Sequence, residues 1–316
     1  MHETRIETIV HIPWGTDRTQ LPLSLVPFPE HSERAMTAGR SPEFPLFRVY
    51  EDGRGAALNH IGNRYLPAET LKWFHVAPGA PGTSDILVQT AGYPFLAQDG
   101  VLSVDFFVKE DGTLILLENV GSGEGGMRSR LAAISRDGAL LWKKDALDEA
   151  YVRIVPDDRG RLFLLAHEDG NQLRRLDPDT GSVEEQYAAE PGTRLAIEAN
   201  QGTRIAAEHL GQPDQATIQA PGDAPQALTY LFGIDARGDY YARLDTHIVV
   251  VDFAGTILRQ ISLDDVPALI EPADARAERI PRLAPLPSWQ VDPVGRIYVP
   301  RVDAKGFSLL RITTGL

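Results

Sequence analysis

The sequence predicts an all-β fold built from a repeated unit, and three observations support this. Short runs rich in Val, Ile, Phe and Tyr are separated by polar turns. Each repeat has a glycine in the same turn, at positions 53, 112, 160, 202, 238 and 295, and the intervals between these glycines average about the length of a four-stranded blade. The last strand of the chain lacks a neighbour that the N-terminal segment can supply. Together they predict a β-propeller of about six blades in a single domain over residues 1–316.

The individual units follow from the alternation of residue types. In Val108-Lys109-Glu110-Asp111-Gly112 a strand enters a polar turn, and the apolar run Leu114–Leu117 follows it. A helical repeat would place apolar residues three and four positions apart, which these short runs do not. We expect blades near residues 44–90, 103–145, 151–188, 194–229, 230–264 and 288–312.

The two chain ends are expected to meet. Phe307–Ile312 has the pattern of a third strand, and the chain stops shortly after it. Residues 5–12 alternate polar and apolar side chains, as an edge strand does. Pairing of this N-terminal strand into the last blade would close the ring and cover an open sheet edge. The alternative is that residues 5–12 belong to an unrelated sheet.

Composition limits the partners. The formal net charge of −13 argues against binding nucleic-acid phosphates or an anionic membrane surface. The absence of cysteine excludes disulfides, thiolate metal sites and a cysteine nucleophile. No apolar stretch reaches transmembrane length, and the N-terminus has no signal-peptide core. We expect a soluble monomer that binds neither nucleic acid nor membrane, cytoplasmic as given, or exported if a signal peptide has been trimmed.

Two segments resemble a known group of propellers. Val291–Val299 and Ile248–Asp252 are similar to the repeats of the six-bladed NHL-like and TolB-like group, and the resemblance extends over residues 44–312. It implies that the starts of the innermost strands and the loops between second and third strands share one face. Members of that group bind proteins, sugars, lipids or metals, or catalyse hydrolysis, so the resemblance implies a fold more than a function.

Aromatic and arginine side chains fall where this resemblance places the channel mouth. Rings and guanidinium groups in a concave site suit a small molecule, sugar or peptide. The alternative for each residue is packing between blades. The candidate ligand-binding residues are Tyr151, Arg153, Arg194, Tyr230 and Trp289.

Histidine and carboxylate side chains occupy several of the second-to-third strand loops. Imidazole and carboxylate groups are the usual ligands of a divalent metal ion, although polar loops also carry such residues by default. The candidate metal ligands are Glu118, His167, Glu208 and His209. Residues 42–45 resemble the Pro-Glu-Gly-Pro element of metal-dependent lactonases, but later inner strands offer Arg194, Tyr230 and Trp289 where that family has Asn and Asp.

Two functions are therefore open. The first is a binding propeller that recognises a small molecule, sugar, peptide or partner protein on its loop-rich face. The second is a metal-dependent, lactonase-like hydrolase or lyase with carboxylate and histidine ligands in the channel. Both place the site on the same face, because the short Asp-Gly turns of the opposite face project few side chains.

Overall fold

A computed structural model gives the fold of the chain. It describes residues 4–15, 20–21, 25–26, 41–42, 46–50, 53–58, 70–75, 85–89, 101–121, 127–145, 147, 149–157, 159–166, 173–187, 204–205, 229–243, 247–252, 257–262, 282–283, 289–303 and 305–314. These residues form strands and turns and contain no helix. Within them, accordingly, no helix is long and apolar enough to cross a membrane.

The strands follow one another in antiparallel sheets. The first sheet contains β4 (Leu46–Val49), β5 (Arg54–Leu58), β6 (Thr70–His75) and β7 (Asp85–Gln89). The second contains β8 (Val101–Val108), β9 (Leu114–Gly121), β10 (Met127–Ile134) and β11 (Leu140–Lys144). The third contains β12 (Tyr151–Pro156), β13 (Leu162–Ala166), β14 (Leu173–Leu176) and β15 (Val183–Tyr187).

Two further sheets and a ribbon complete the described structure. The fourth sheet contains β16 (Arg204–Ile205), β17 (Thr229–Ile234), β18 (Tyr240–Arg243), β19 (His247–Val251) and β20 (Ile257–Ser262). The fifth contains β21 (Arg282–Leu283), β22 (Gln290–Val291), β23 (Ile297–Val302), β24 (Gly306–Thr314) and β1 (Thr4–Pro13). The ribbon pairs β2 (Leu25–Val26) with β3 (Ser41–Pro42).

Buried side chains fill the spaces between the first, second and third sheets and between the fourth, fifth and first sheets, which is the packing of a propeller. Leu116 of β9 packs in a cluster with Leu58 of the first sheet, and its neighbour Leu117 packs with Ile154 of the third. The second strand of a blade is therefore apolar on both faces, which explains its unbroken apolar run. Similar clusters join the fourth sheet to the fifth and the fifth back to the first.

The N-terminal strand pairs into the sheet of the C-terminal strand, as the sequence predicts. β1 pairs antiparallel with β24 along its whole length, from Thr4 opposite Thr314 to Pro13 opposite Gly306. Ile12 is 1% exposed and lies in the cluster between the fifth and first sheets. The pairing covers an edge of β24 that would otherwise carry free backbone groups.

Aspartates organise the turns between first and second strands. In the turn after β12, Asp157 Oδ1 accepts hydrogen bonds from the backbone N–H of Arg159 (3.0 Å) and Arg161 (2.8 Å). Asp235 and Asp292 accept the equivalent pairs of bonds in the fourth and fifth sheets. The repeated Asp therefore serves the turn itself, as side-chain caps of this kind do.

The structure corrects the number of blades that the sequence predicts. The described residues form three four-stranded sheets, two five-stranded sheets and one ribbon, so they do not show six blades. Of the expected unit 194–229, only residues 204–205 and 229 are described, and β16 pairs with β17 and enlarges the next sheet. The sequence explains the error, because residues 211–226 are rich in Gln, Pro, Gly and Ala and lack alternating apolar runs. The single-domain assignment stays a prediction.

Candidate functional site

The sheets have two unlike ends. We call the end with the first-to-second strand turns the turn face. The loop face is the end where innermost strands begin and second strands lead into third strands. The position of a residue along its strand places its side chain toward one face or the other.

On the turn face, charged side chains are used within the fold. Asp292 Oδ2 bonds Arg296 Nε at 2.5 Å and accepts the hydroxyl of Tyr298 at 2.9 Å. Asp235 has the corresponding contacts with Arg237 and Tyr241. Burial raises the pKa of both tyrosines, and the adjacent aspartates add to that rise. These contacts hold the turns in place, and both carboxylate oxygens of each aspartate already accept hydrogen bonds within the fold.

Near the axis, Arg48 joins three successive inner strands. Its Nε donates to Phe106 O (2.8 Å), and its Nη2 donates to Asp105 Oδ2 (2.8 Å) and to Ile154 O (2.9 Å). Asp105 Oδ2 also accepts the N–H of Ile154 at 2.7 Å. A side chain that reaches two sheets beyond its own lies where the inner strands converge, so Arg48 fills the centre of this part of the ring at the turn-face end of β4.

Gln290 makes a similar bridge from the fifth sheet. Its Nε2 donates to Phe47 O and its Oε1 accepts from Val49 N, both at 2.8 Å. Arg48 and Gln290 each stand five residues before the turn glycine of their unit. These two units therefore use a polar side chain at this level to tie neighbouring inner strands together, whereas the units of Gly112, Gly160 and Gly238 have Phe107, Val155 and Gly233 there.

On the loop face, the second sheet contains a buried charge pair. Glu118 and Arg130 lie directly opposite each other on β9 and β10, and Glu118 Oε2 accepts from Arg130 Nε at 2.5 Å. Glu118 is 1% exposed and Arg130 5%. Burial raises the pKa of Glu118, against the lowering effect of Arg130. Glu118 Oε1 has no hydrogen-bond partner within the described structure.

A second charge pair lies in the seam between the second and third sheets. Arg174 Nη2, near the start of β14, contacts Glu149 Oε1 in the segment that leads into β12. Behind it, Ser129 Oγ donates to Asn119 Oδ1 and accepts the N–H of Tyr151, both at 2.6 Å. Glu149 Oε2 and Arg174 Nε are buried atoms without a hydrogen-bond partner in the part of the chain described.

The unpaired polar atoms are unevenly distributed. Six buried side-chain atoms in the described ranges lack a partner, and four lie at loop-face positions: Glu118 Oε1, Glu149 Oε2, Arg174 Nε and Arg301 Nε. The other two belong to Tyr240 and Arg311. An unsatisfied buried polar atom costs about 1–3 kcal/mol, so native structures keep few of them and usually for a reason. The loop face therefore carries most of the hydrogen-bonding capacity that the described fold does not use.

The predicted ligand residues are placed differently from one another. Trp289 is 1% exposed and packs edge to face on Phe232 at 5.4 Å between ring centroids. Tyr151 is 2% exposed and lies in the core between the second and third sheets, while Arg153 is half-buried on the same strand. Burial between sheets is the alternative that the sequence left open for Trp289 and Tyr151. Tyr230 lies in β17, its side chain is not described, and Arg194 lies outside the described residues.

The predicted metal set is described in one member only. His167, Glu208 and His209 lie outside the described residues. Glu118 is described, and its ion pair with Arg130 opposes a cation at the same carboxylate. Among the described residues, no three His, Asp or Glu side chains are grouped to hold a metal ion. The four-residue metal site stays a prediction.

Sequence reasoning missed Arg48, Arg130, Glu149 and Arg174. A signal for Arg48 was present, because a charged residue inside an apolar inner strand indicates a bridge to a neighbouring strand. Arg130 required the register of β9 and β10, which places it opposite Glu118. The contact of Glu149 with Arg174 joins the segment between the second and third sheets to β14 and has no local signal.

Comparison of the sequence with known protein families and curated proteins finds no match. Solved structures with similar folds include a soluble aldose sugar dehydrogenase from Escherichia coli (11% identity, 99% of this chain and 100% of that one, TM-score 0.42). Others are a gluconolactonase from Xanthomonas campestris (11%, 98% and 98%, 0.39) and an endo-arabinase from Bacteroides thetaiotaomicron (10%, 86% and 93%, 0.37). At these identities and TM-scores the likenesses carry no argument about function, and the propeller arrangement depends on the sheets described above.

Proposed function

We propose that the protein is a ligand-binding propeller that takes a polar small molecule on its loop face. The observation that supports this is the uneven distribution of unsatisfied polar atoms, most of which lie at loop-face positions. Buried donors and acceptors without partners gain more from a ligand's hydrogen bonds than groups that must first give up a partner.

The turn face supports the proposal by contrast. Asp235 and Asp292 spend both carboxylate oxygens on their own turns. Arg48 and Asp105 bridge the inner strands of the first three sheets toward that end. A ligand entering from the turn face would have to displace these bonds, whereas one entering from the loop face would form new ones.

The proposal is tested by amide hydrogen exchange. A thermal-shift screen of sugars, amino acids and nucleosides selects a compound that stabilises the full chain, since a ligand of the native state raises its stability by mass action. Exchange is then compared with and without it. We expect slower exchange in peptides covering 127–130 and 173–175, and unchanged exchange in the turns 109–113 and 135–139. Protection confined to those turns would overturn the proposal.

The metal-dependent hydrolase or lyase is the competing function. It requires His167, Glu208 and His209 to join Glu118, and no described contact supports that set. Elemental analysis of the purified chain tests it: a stoichiometric divalent metal ion that is lost in the Glu118→Gln variant would favour it over the binding function.

A further inference from the structure

We infer that the seam between the second and third sheets holds a subsite for a neutral small molecule bearing hydroxyl groups, with Glu149 as acceptor and Arg174 as donor. The inference rests on the proposed function, since it places the ligand on the same loop face. It adds the chemical class of the ligand and the side chains that select it.

The hydrogen-bonding needs of the pair define that class. Glu149 Oε2 can only accept, and Arg174 Nε can only donate. A hydroxyl group does both, so two hydroxyls, or a single one bridging the two atoms, satisfy acceptor and donor together. A carboxylate would serve Arg174 alone, and an ammonium group would serve Glu149 alone.

Charge selects in the same direction. The carboxylate of Glu149 and the guanidinium of Arg174 neutralise each other. A cationic ligand would compete with Arg174 for Glu149, and an anionic one would compete with Glu149 for Arg174. A neutral ligand disrupts neither attraction, and like-charge juxtaposition is a strong means of rejecting the wrong ligand.

The seam is both accessible and held in place. The side chains of Glu149 and Arg174 remain 33% and 28% exposed, so a ligand can approach the pair from solvent. The backbone beneath them is fixed, because Glu149 O accepts the N–H of Ser129 (3.3 Å) and Leu147 N donates to Ser129 O (2.7 Å). Ser129 in turn binds the N–H of Tyr151, which anchors the seam to the third sheet.

The charge requirement is tested by calorimetric titration with three compounds on one ring skeleton: neutral D-glucose, cationic D-glucosamine and anionic D-glucuronate. The buffer is acidic enough to keep the amine protonated. We expect D-glucose to bind, and each charged analogue to bind weaker by about tenfold or more. Failure of D-glucose to bind, or tighter binding of either charged compound, would overturn the inference.

The residues are tested by matched variants. Glu149→Gln and Arg174→Met should each weaken D-glucose binding by about tenfold, because each removes one of the two unsatisfied groups. Arg175→Met is the control: Arg175 is the next residue on β14 and pairs with Glu184 in an exposed contact of 3.3 Å, so its loss should change binding by less than about twofold. If Arg174→Met does not fold, Arg174→Lys keeps the charge while removing Nε.

The outcomes separate the inference from the proposed function. Equal effects at Arg174 and Arg175, or none at Glu149, would overturn the subsite even if D-glucose binds. Amide hydrogen exchange, measured with any compound that binds, still shows which face of the protein the compound occupies. Protection on the loop face with insensitive variants would leave the proposed function standing without this subsite.

Discussion

Loss of the closing strand's core contact should destabilise the whole propeller. Ile12 is 1% exposed and packs with Phe307 and Leu309 of the strand it pairs with, and with Phe47 of the first sheet. Truncation of a buried isoleucine to alanine removes its transfer free energy and leaves a cavity, which costs about 2–5 kcal/mol. Ile12→Ala should therefore lower the free energy of unfolding by that amount.

Differential scanning calorimetry measures this effect. For a chain of this size about 2 °C of Tm is expected per kcal/mol, so Ile12→Ala should melt roughly 4–10 °C lower than the wild type. Thr8→Ala on the same strand is the control, because Thr8 is exposed and such surface changes stay within about 0.5 kcal/mol. If Ile12→Ala melts with the wild type, β1 does not close the ring in solution and the reasoning fails.

Three further predictions follow from described contacts. In urea titration, Gly295→Ala should lower the free energy of unfolding clearly more than Gly160→Ala. Both glycines have positive φ (+83° and +73°), which costs an alanine about 1–2 kcal/mol, but only at Gly295 would the new Cβ lie 2.2 Å from Tyr241 Oη. Equal losses in the two variants would contradict the described packing. Arg48→Met should cost about 3–5 kcal/mol in the same assay, because it leaves the partly buried carboxylate of Asp105 without its counter-charge. The double variant Arg48→Met/Asp105→Asn should recover part of the loss, and a neutral Arg48→Met would refute the bridge between inner strands. The hydrogen bond from Arg311 lowers the pKa of Glu7 in the folded protein. The ionised carboxylate of Glu7 therefore stabilises the fold fully above the pKa of the unfolded state, and this stabilisation is lost as pH falls through the pKa of the folded state. The Tm difference between wild type and Glu7→Gln should shrink across that acidic range, and a constant difference would contradict this pH dependence.

The fold was more predictable from sequence than the site. Turn glycines with positive φ at 53, 112, 160, 238 and 295 recur because only that residue adopts the conformation freely, so the repeat was visible in the sequence. The closing strand was visible because its alternation matches an edge strand. The number of sheets was wrong because Gly202 matched the spacing while the residues after it lack apolar alternation.

The site was less predictable because its contacts cross between strands and sheets. Aromatic residues near the start of inner strands suggested a ligand surface, yet Trp289 and Tyr151 are buried between sheets, where large apolar side chains gain most. The pairing of Glu118 with Arg130 depends on strand register, and that of Glu149 with Arg174 on how the segment before β12 packs against β14. Sequence spacing contains neither kind of information.

The central claim, that the ligand binds on the loop face, is tested most directly by thiol footprinting. The chain has no cysteine, so Arg128→Cys on the loop face and Asp137→Cys on the turn face each introduce a single reactive thiol at an exposed position. Position 128 lies near the start of β10 and position 137 in the turn that follows this strand. The alkylation rate of each variant is measured with and without the compound selected by the screen. We expect slower alkylation at position 128 and an unchanged rate at position 137. Protection at position 137 with none at position 128 would contradict it.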